Sequence, residues 1–490
     1  MTQSVAKNTM YLTIATVSQR IIAFVYFLFV ARIMKPENTG AYFLALSIIM
    51  IFMVISNFGI AQVVIREIAK NTESARSWLK HGLGLKIPLI ILSIICANLA
   101  AYLLSYSSEV RVLVLLSSLT LTADALSVLF YGVLRGFQKL QYESVGIFIG
   151  QLVTVGIGLS VLLIKPTLPL LIVALICGSF FNLFFSAFQV SRVLGYQAFI
   201  PVISRQMSGQ FLKITVPFGL AGVFSKISSY ADTILLSLFI STTAVGIYAV
   251  AYKLTYAFQF LPMAFIAALY PGLSSLAKTN PSRLPKLFDQ AMWYMMILAT
   301  PIALGIWSLA PDVVRLAGSE YDSAIPVLRL LILVLFPIFL DFPIGSLLNA
   351  VDKQAVKTAI LGFATLVNVV MNAVLIPTHG LGGAVYAALV SFSLMFLAGL
   401  LYIPRVVPGY RILDLIKMIL PILLSGLCMS AAVVYARPIV GFILAVPTGA
   451  LVYISMLIIT RSVRRQHVQS VFRLLKKTDS YENPTPAHDA

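Results

Sequence analysis

The chain has 490 residues, of which 60% are hydrophobic and only 11% are charged. This composition is typical of a polytopic membrane protein and excludes a soluble globular domain. The net charge of +18 requires no nucleic-acid partner, because basic residues concentrate in the connections between apolar segments, where they face an anionic leaflet. The three cysteines are widely spaced and the four histidines are scattered, so we expect no metal site, no cofactor and no disulfide framework.

Apolar stretches of about twenty residues recur along the chain and predict an all-α polytopic membrane protein with about 14 transmembrane helices. The helices are predicted near residues 10–34, 39–64, 84–105, 110–135, 143–164, 168–191, 209–240, 244–275, 288–311, 323–350, 355–377, 381–404, 414–436 and 438–460. With both termini in the cytoplasm, most lysines and arginines fall on the cytoplasmic side. We therefore expect a multi-pass protein of the cytoplasmic membrane, that is, the inner or plasma membrane.

Residues 462–490 follow the last predicted span. Up to Lys477 this segment has apolar residues at helical spacing beside basic ones, which predicts an amphipathic helix lying on the cytoplasmic surface. The remaining residues contain two prolines and no apolar period, so we expect them to be disordered.

The two halves of the chain resemble each other at a shift of 206 residues. At this shift Gly40-x-Tyr42 superposes on Gly246-x-Tyr248, and Arg20 superposes on Lys226. Internal repeats of this kind are common in secondary transporters.

Arg20 and Lys226 each place a cation inside a long apolar stretch. A charge at that depth costs about 2.5 to 3.5 kcal/mol on insertion scales, so it normally faces a cavity or a partner. The repeat therefore predicts a central cationic cavity. Alternatively, each cation pairs permanently with an intramembrane carboxylate.

Only three acids lie well inside the predicted helices: Asp124, Asp232 and Asp341. Each is either a counter-ion or a site for a coupling proton or sodium ion. Asp232 lies about 120° around the helix from Lys226, so these two are not expected to pair. Lys86 lies near the cytoplasmic boundary and is expected to extend its ammonium group to the interface.

Two segments carry a family resemblance. The run NFGIAQVVIREIAK, from Asn57 to Lys70, resembles the end of the second helix in polysaccharide transporters, the O-antigen and teichuronic-type flippases. The run LNAVDK at 348–353, followed by Asn368, Asn372 and the run IPTHGLGGAV at 376–385, is similar to that family's eleventh-to-twelfth helix signature.

This resemblance implies the fold of the multidrug/oligosaccharidyl-lipid/polysaccharide exporter superfamily. In that fold two homologous six-helix bundles, here 1–206 and 207–408, form a V, and two additional helices, here 409–461, follow. The implied function is a flippase for polyprenyl-pyrophosphate-linked oligosaccharide that acts by alternating access in cell-surface polysaccharide assembly. Lipid II flippases of the same superfamily are more arginine-rich around their first two helices, which disfavours the peptidoglycan variant.

In such a transporter, fixed cations suit a pyrophosphate and aromatic faces suit sugar rings. The candidate substrate-binding residues are Arg20, Gln19, Lys226, Lys253, Tyr252 and Tyr256. Arg20 and Lys226 are expected to face each other across the pseudo-two-fold axis. The tyrosines are equally compatible with packing or interfacial anchoring.

The implied partners are the lipid-linked glycan, the bilayer and glycan polymerase machinery. We expect a monomer, because the two halves already supply a symmetric interface. One alternative is a cation-coupled multidrug exporter, whose cavity should favour carboxylates. Another is a membrane enzyme such as a sugar polymerase, which would need carboxylates or metal ligands on sizeable loops. A third is a non-transporting component of glycan assembly. We expect no catalytic residues and no enzymatic activity.

Overall fold

The computed structural model describes residues 2–407 and 409–462, and all regular secondary structure within these ranges is helical. The α-helices in chain order are α1 Thr2–Asn57, α2 Ile60–Lys70, α3 Ala75–Leu103, α4 Ser108–Gly136, α5 Leu140–Ile164, α6 Leu168–Leu194, α7 Arg205–Phe239, α8 Thr242–Tyr256, α9 Phe260–Thr279, α10 Leu284–Ser308, α11 Ala310–Arg315, α12 Ala324–Leu331, α13 Leu335–Ala350, α14 Gln354–His379, α15 Leu381–Val406 and α16 Ile412–Ile459. The predicted all-α membrane fold is confirmed. The predicted amphipathic and disordered tail, from residue 463 onward, lies outside the described residues.

Within the described residues, ten helical stretches are long and apolar enough to cross a membrane, or eleven if a bent pair counts as one span. Two of the ten, Ala15–Asn57 with 43 residues and Ile412–Ile459 with 48, are about twice the length that one crossing needs. Each is interrupted by a residue with non-helical backbone angles, Lys35 (φ 64°) and Gly441 (φ 77°). Each therefore has the length for two crossings, which makes the fold compatible with the predicted fourteen helices.

The helices form two bundles. In the first, α1 packs against α3, α4 and α5, and α6 packs against α4 and α5. In the second, α14 packs against α7 and α15, while α13 contacts α9, α10 and α15.

The last helix, α16, packs along α10 of the second bundle. Near the break in α16, Arg437 forms an ion pair with Asp312 of α11. Beyond its end, the Trp293 indole N–H donates to the Ser462 carbonyl oxygen at 3.1 Å. These polar contacts join α16 to the second bundle at its break and just beyond its C-terminal end.

The two faces of the molecule can be defined by the helix connections. We call the side with connections 71–74, 137–139, 195–204, 280–283 and 351–353 the basic face, and the side with connections 104–107, 165–167 and 240–241 the opposite face.

The bundles cross near the opposite face at two glycines. A Cβ atom on Gly40 would lie 1.8 Å from the Thr242 carbonyl oxygen, and one on Gly246 would lie 1.9 Å from the Pro36 carbonyl oxygen. Neither distance is possible for a real Cβ, so only glycine allows these backbones to touch. Gly40 and Gly246, like Pro36 and Thr242, are related by the 206-residue shift. The sequence repeat therefore becomes a two-fold contact between α1 and α8.

Polar contacts reinforce this crossing. The Tyr321 hydroxyl donates to the Ala31 carbonyl oxygen at 3.1 Å and lies 2.9 Å from the Thr39 hydroxyl oxygen. The hydroxyls of Tyr106 and Ser237 are 2.7 Å apart. The opposite face is thus closed by contacts between the two bundles.

On the basic face, the bundles meet at the break between α1 and α2. Phe58 lies in this break, and a Cβ atom on Gly219 of α7 would fall 2.6 Å from its ring. Gly59 has a left-handed backbone (φ 74°), which suits glycine and allows α2 to start in a new direction.

Lys86 corrects one expectation. Its side chain is fully buried rather than extended to the interface, and its ammonium group donates to Asn57 Oδ1 at 2.8 Å. Asn57 ends α1, and the free carbonyl groups at a helix C-terminus favour a nearby cation. The prediction was wrong because the helix break brings a polar helix end into the bundle.

The predicted helix 244–275 is also not continuous. It is divided into α8 and α9 by a 3₁₀ turn over Ala257–Gln259. Pro262 follows in the first turn of α9, where the missing proline N–H is tolerated. The break matters because residues on both sides of it line the central cavity.

Candidate functional site: a cationic cavity and two buried polar clusters

A cavity of about 340 Å³ lies between α1 and the α8–α9 break. Its described lining contains two cations, two tyrosines and three phenylalanines, but no carboxylate: Arg20, Ile21, Ala23, Phe24, Tyr252, Lys253, Tyr256, Ala257, Phe258 and Phe260. The structure thus brings together four of the six predicted substrate-binding residues, namely Arg20, Tyr252, Lys253 and Tyr256. Such a cavity presents positive charge and aromatic surface together.

Arg20 is available for a ligand. Arg20 is exposed. Within the described residues, no carboxylate lies at ion-pair distance from Arg20 or Lys226. The described part of the chain therefore shows no permanent pairing of either cation with an intramembrane carboxylate. A free guanidinium group presents a planar set of donors that matches phosphate oxygens.

Lys253 is positioned by aromatic rings. Its Nζ lies 5.0 Å from the Phe43 ring centroid and 6.0 Å from that of Phe27. Attraction between an ammonium group and an aromatic face stabilises the cation without neutralising it. The charge on Lys253 therefore remains available to the cavity.

Tyr252 and Tyr256 form an aromatic wall beside Lys253. Their ring centroids are 4.1 Å apart with an interplanar angle of 29°, a stacked arrangement. Tyr248, one turn earlier, does not join this wall, because it is buried and donates to Asp232 instead. Of the three evenly spaced tyrosines, Tyr252 and Tyr256 thus line the cavity, and Tyr248 belongs to a buried polar cluster.

Gln19 and Lys226 are not among the residues that line this cavity. Gln19 lines a second cavity, where its amide nitrogen lies 3.5 Å from Gln151 Oε1. Gln19 and Arg20 face different cavities because adjacent helical residues point about 100° apart. Lys226 Nζ lies 5.5 Å from the Tyr230 ring centroid, one turn along α7. In the described cavity Arg20 therefore lies with Lys253, while Gln19 and Lys226 lie elsewhere.

The second cavity, of about 430 Å³, lies inside the first bundle. Its polar lining comes mainly from one face each of α4, α5 and α6 and includes Gln19, Gln62, Asp124, Ser127, Tyr131, Arg135, Glu143, Gln151, Thr154, Ser179 and Asn182. The Tyr131 hydroxyl donates to Asn182 Oδ1 at 3.0 Å, and Arg135 Nε donates to Glu143 Oε2 at 2.6 Å. Asp124 has no ion-pair partner within the described residues.

The signal for this cavity is present in α4 but was missed. Asp124, Tyr131 and Arg135 are spaced by seven and four residues, which places them on one helical face. By itself Asp124 is only one of three intramembrane acids. The polar stripe becomes recognisable only when its three members are considered together.

Asp232 lies in a buried cluster at the junction of α7, α8, α14 and α15. It is 4% exposed, and its two carboxylate oxygens accept hydrogen bonds from the Tyr248 hydroxyl and the Asn372 amide, both at 2.8 Å. Asn368 Nδ2 donates to the Ser391 hydroxyl oxygen at 3.2 Å. Among the residues that the structure describes, Asn372 Oδ1 is buried without a hydrogen-bond partner. A proton on the carboxylate, or a cation held by these oxygens, would satisfy such a cluster.

Asp341 has a different environment. Lys357 of α14 donates to both of its carboxylate oxygens, at 2.5 and 2.6 Å. The two side chains are largely buried, with exposed fractions of 12% for Asp341 and 19% for Lys357. Asp341 is therefore paired with a lysine near the start of α14. Within the described residues, no group of three or more His, Cys, Asp or Glu side chains could hold a metal ion.

Comparison with known protein families assigns this chain to a class of membrane protein that agrees with its fold and its cationic cavity. Residues 5–277 match the family described as polysaccharide biosynthesis protein, and residues 217–374 match the MatE family. The first match covers more than half of the chain. This protein therefore belongs to the polysaccharide biosynthesis protein family, within the multidrug/oligosaccharidyl-lipid/polysaccharide exporter superfamily.

Two curated relatives come from Haloferax volcanii. The probable low-salt glycan biosynthesis flippase Agl15 is 21% identical over 489 residues, covering 96% of this chain and 99% of that protein. The probable flippase AglR is 30% identical over 185 residues, covering 36% of this chain and 38% of that protein. The similarity thus spans nearly the full length of Agl15 and little more than a third of AglR.

Solved structures share the fold. The lipid II flippase MurJ in an inward closed conformation superposes with a TM-score of 0.75 at 18% identity, covering 92% of this chain and 99% of that chain. An inward-facing multidrug resistance MATE family transporter gives a TM-score of 0.68 at 15% identity, covering 79% and 94%. At these identities the likeness concerns the fold alone.

Proposed function

We propose that this protein is a flippase that moves a polyprenyl-pyrophosphate-linked oligosaccharide across the cytoplasmic membrane for cell-surface polysaccharide assembly. The observation that carries the proposal is the pairing of Arg20 and Lys253, free of carboxylates, with two stacked tyrosines in one cavity. The names of Agl15 and AglR, both probable flippases, support the same class of substrate.

The cavity chemistry fits the headgroup of such a lipid. The Arg20 guanidinium binds phosphate oxygens through paired hydrogen bonds, and the Lys253 ammonium adds a second positive charge. The stacked rings of Tyr252 and Tyr256 give the first sugar an aromatic surface. A multidrug exporter for cationic substrates would instead need carboxylates here, and the described lining has none.

The prenyl tail has a route that leaves it in lipid. Ile21 lines the cavity and is 52% exposed, and it starts a strip on α1 that continues through Val25, Phe29 and Ile33. This four-residue spacing keeps the strip on one face of the helix. The headgroup can thus occupy the cavity between α1 and α8 while the tail extends outward along this strip.

Transport proceeds by alternating access. We assign the basic face to the cytoplasm, with both termini on that side, because basic connections are retained there. The headgroup enters while the opposite face is closed by the crossing of Gly40 and Gly246. Separation of the bundles at this crossing then opens the cavity outward.

Asp232 is our first candidate for the coupling-ion site, because its cluster contains an unpartnered buried oxygen. Asp124, in the cavity of the first bundle, is the second candidate. Asp341 is held by Lys357 and serves as a counter-ion. The protein would act as a monomer, without catalytic residues, and would deliver its cargo to glycan polymerase machinery.

The proposal is tested by surface glycan display in a strain that lacks the protein, complemented with variants at matched abundance. Arg20→Ala and Lys253→Ala should abolish display and cause lipid-linked precursor to accumulate, whereas Arg20→Lys should retain part of it. Lys226→Ala should have a smaller effect, because Lys226 does not line the described cavity. Lys165→Ala, at an exposed connection, is the control. Full display with both cavity alanine variants would contradict the proposal.

Ion coupling is tested with purified protein in liposomes, by following lipid-linked glycan translocation under imposed proton or sodium gradients. Asp232→Asn should abolish the response to the gradient, because the amide can neither release a proton nor neutralise a cation. Asp124→Asn tests the second site in the same assay. Asp322→Asn, in an exposed pair with Arg315, is the control. A gradient response that survives both Asp232→Asn and Asp124→Asn would exclude both sites.

A further inference from the structure

The connection between the two bundles, residues 195–204, has two chemically different sides. On its inner side, Ala198 is fully buried and Phe199 packs edge-on against Phe130, with ring centroids 5.3 Å apart. These contacts dock the connection onto the first bundle. Its conformation is therefore set by packing and not by the chain ends alone.

Backbone contacts with α3 hold the same segment in place. The Val202 N–H donates to the Lys80 carbonyl oxygen at 3.0 Å. A Cβ atom on Gly84 would lie 2.3 Å from the Val202 carbonyl oxygen, so the two backbones are in direct contact. The connection therefore packs directly against the N-terminal end of α3.

The outer side is apolar and uncovered. Tyr196, Ile200 and Ile203 are 79%, 58% and 70% exposed. These are unusually large exposed fractions for three neighbouring apolar side chains on a docked segment.

Two arginines flank this apolar surface. The Arg76 guanidinium lies beside Gly195, with Nη2 3.7 Å from the position a Cβ would take there, and Arg192 precedes the segment by one helical turn. Both residues are exposed, and within the described residues neither has a carboxylate at ion-pair distance. The surface thus combines uncovered apolar groups with unpaired positive charge.

The depth of the segment matches a lipid headgroup layer. On α3 the exposed apolar strip begins at Ile87, and Lys80 lies seven residues before it, about 10 Å along the helix. On α6, Phe184 and Phe188 are exposed, and Arg192 follows one turn later. The segment therefore lies just beyond the apolar belt of both helices.

We propose that residues 195–204 form an interfacial anchor for anionic lipids of the leaflet at the basic face. Tyr196, Ile200 and Ile203 enter the boundary between headgroups and acyl chains, while Arg76 and Arg192 bind lipid phosphates. The covalent joint between the bundles is thereby fixed to the membrane surface, so the bundles move about an anchored point. The inference rests on the membrane placement of the fold and is independent of the cargo.

The test uses tryptophan fluorescence of the full chain in bilayer discs. The native Trp78, Trp293 and Trp307 are replaced by phenylalanine, and Tyr196→Trp introduces the reporter. The discs contain equal parts of phosphatidylcholine and phosphatidylglycerol, with bromine near the headgroup end of the acyl chains of one lipid at a time. Ile95→Trp, on the exposed apolar strip of α3, is the matched control, and size-exclusion profiles verify folding.

We expect both brominated lipids to quench Tyr196→Trp, with a local preference for phosphatidylglycerol of about fivefold, corresponding to about 1 kcal/mol for a basic residue at the surface. Ile95→Trp should be quenched equally by the two lipids. Adding Arg76→Gln and Arg192→Gln should abolish the preference at residue 196 and leave the quenching itself intact.

Three outcomes would overturn the proposal. Quenching of Tyr196→Trp by aqueous iodide, but not by brominated lipid, would place the segment in water. Equal quenching by the two lipids would remove the anionic preference. Protection from both kinds of quencher would show that protein covers the surface instead.

Discussion

At the residue scale, the charges within or near the apolar spans are the most informative feature, because their roles depend on their partners. Arg20 and Lys253 line a cavity whose described lining has no carboxylate, Lys357 is neutralised by Asp341, and Lys86 lies at a helix end. All four are basic residues within or near apolar sequence. The structure separates them into two that can meet a ligand and two that stabilise the fold.

Lys86→Ala should destabilise the first bundle by about 3 kcal/mol, since it leaves a cavity and removes the partner of Asn57 Oδ1. Lys86→Met should cost less, because it fills most of the volume and loses only the polar contact. Thermal unfolding in detergent, followed by size-exclusion chromatography, measures both changes, with Lys165→Ala as the control. Equal stability of Lys86→Ala and the unmodified protein would contradict the role assigned to this lysine.

Asp341→Asn should cost about 3 to 5 kcal/mol, because it leaves the Lys357 ammonium buried without a counter-charge. Adding Lys357→Met to the same chain should recover most of this loss, since the unpaired charge is then gone. The exposed pair of Arg315 and Asp322 is the matched comparison, in which Asp322→Asn should cost much less, because solvent screens an exposed pair. The same unfolding assay, arranged as a double-mutant cycle, gives the coupling energy of each pair, and a coupling no larger in the buried pair would refute the argument.

At the element scale, the weak sequence repeat corresponds to a direct backbone contact where α1 and α8 cross. Gly40 and Gly246 occupy equivalent positions in the two halves, and each approaches the backbone of the other half. The close approach requires glycine on both sides, so any side chain there pushes the helices apart. The contact is therefore a natural point at which the opposite face opens.

Gly40→Val should favour states in which the opposite face is open. Leu44 lies one turn further along α1 and is fully buried, so a cysteine placed there should react slowly with a membrane-impermeant thiol reagent added to that face. We expect the reaction to become several-fold faster when Gly40→Val is added, in a background without Cys96, Cys177 and Cys428.

Gly156→Val is the control for this experiment, because a Cβ atom at Gly156 would have no neighbour within 4 Å. It should leave the labelling rate of the cysteine at position 44 unchanged. The same slow rate with Gly40→Val would mean that the crossing does not hold the opposite face closed.

At the scale of the whole molecule, charge and symmetry act together. Basic residues gather in the connections and adjoining helix ends of one face, while the two bundles enclose the cationic cavity between the first part of α1 and the α8–α9 break. The last helix, α16, contacts the second bundle at its break and just beyond its C-terminal end, so it is expected to move with that bundle. We therefore expect two moving bodies, the first bundle and the second bundle together with α16.

The orientation is testable in intact cells with single cysteines. Lys165→Cys, on the opposite face, should react with an impermeant reagent, whereas Lys139→Cys, on the basic face, should react only after the cells are opened. Both residues lie in short connections between helices, which makes the two positions comparable. Labelling of Lys139→Cys in intact cells would reverse the assigned topology.

The sequence by itself determined the class of this protein. Apolar segments of spanning length and the cost of unpaired backbone groups in lipid leave a helical bundle as the structure that this composition allows. The 206-residue repeat and the two signature segments also indicated the superfamily. Intramembrane charges marked Arg20, Lys253 and the three aspartates before any contact was known, because charge in hydrocarbon is rare.

Only the tertiary structure decided which of these residues meet. Helical spacing gives the face of a residue within its own helix, but not the neighbour that this face contacts. Gln19 and Arg20 are adjacent in sequence yet line different cavities, whereas Arg20 and Lys253 are far apart and share one. Asp341 pairs with Lys357 because α13 and α14 pack together, and Lys86 is buried because α1 breaks at Asn57. Such partners depend on the rotation and crossing of separate helices, which the packing of the whole bundle sets.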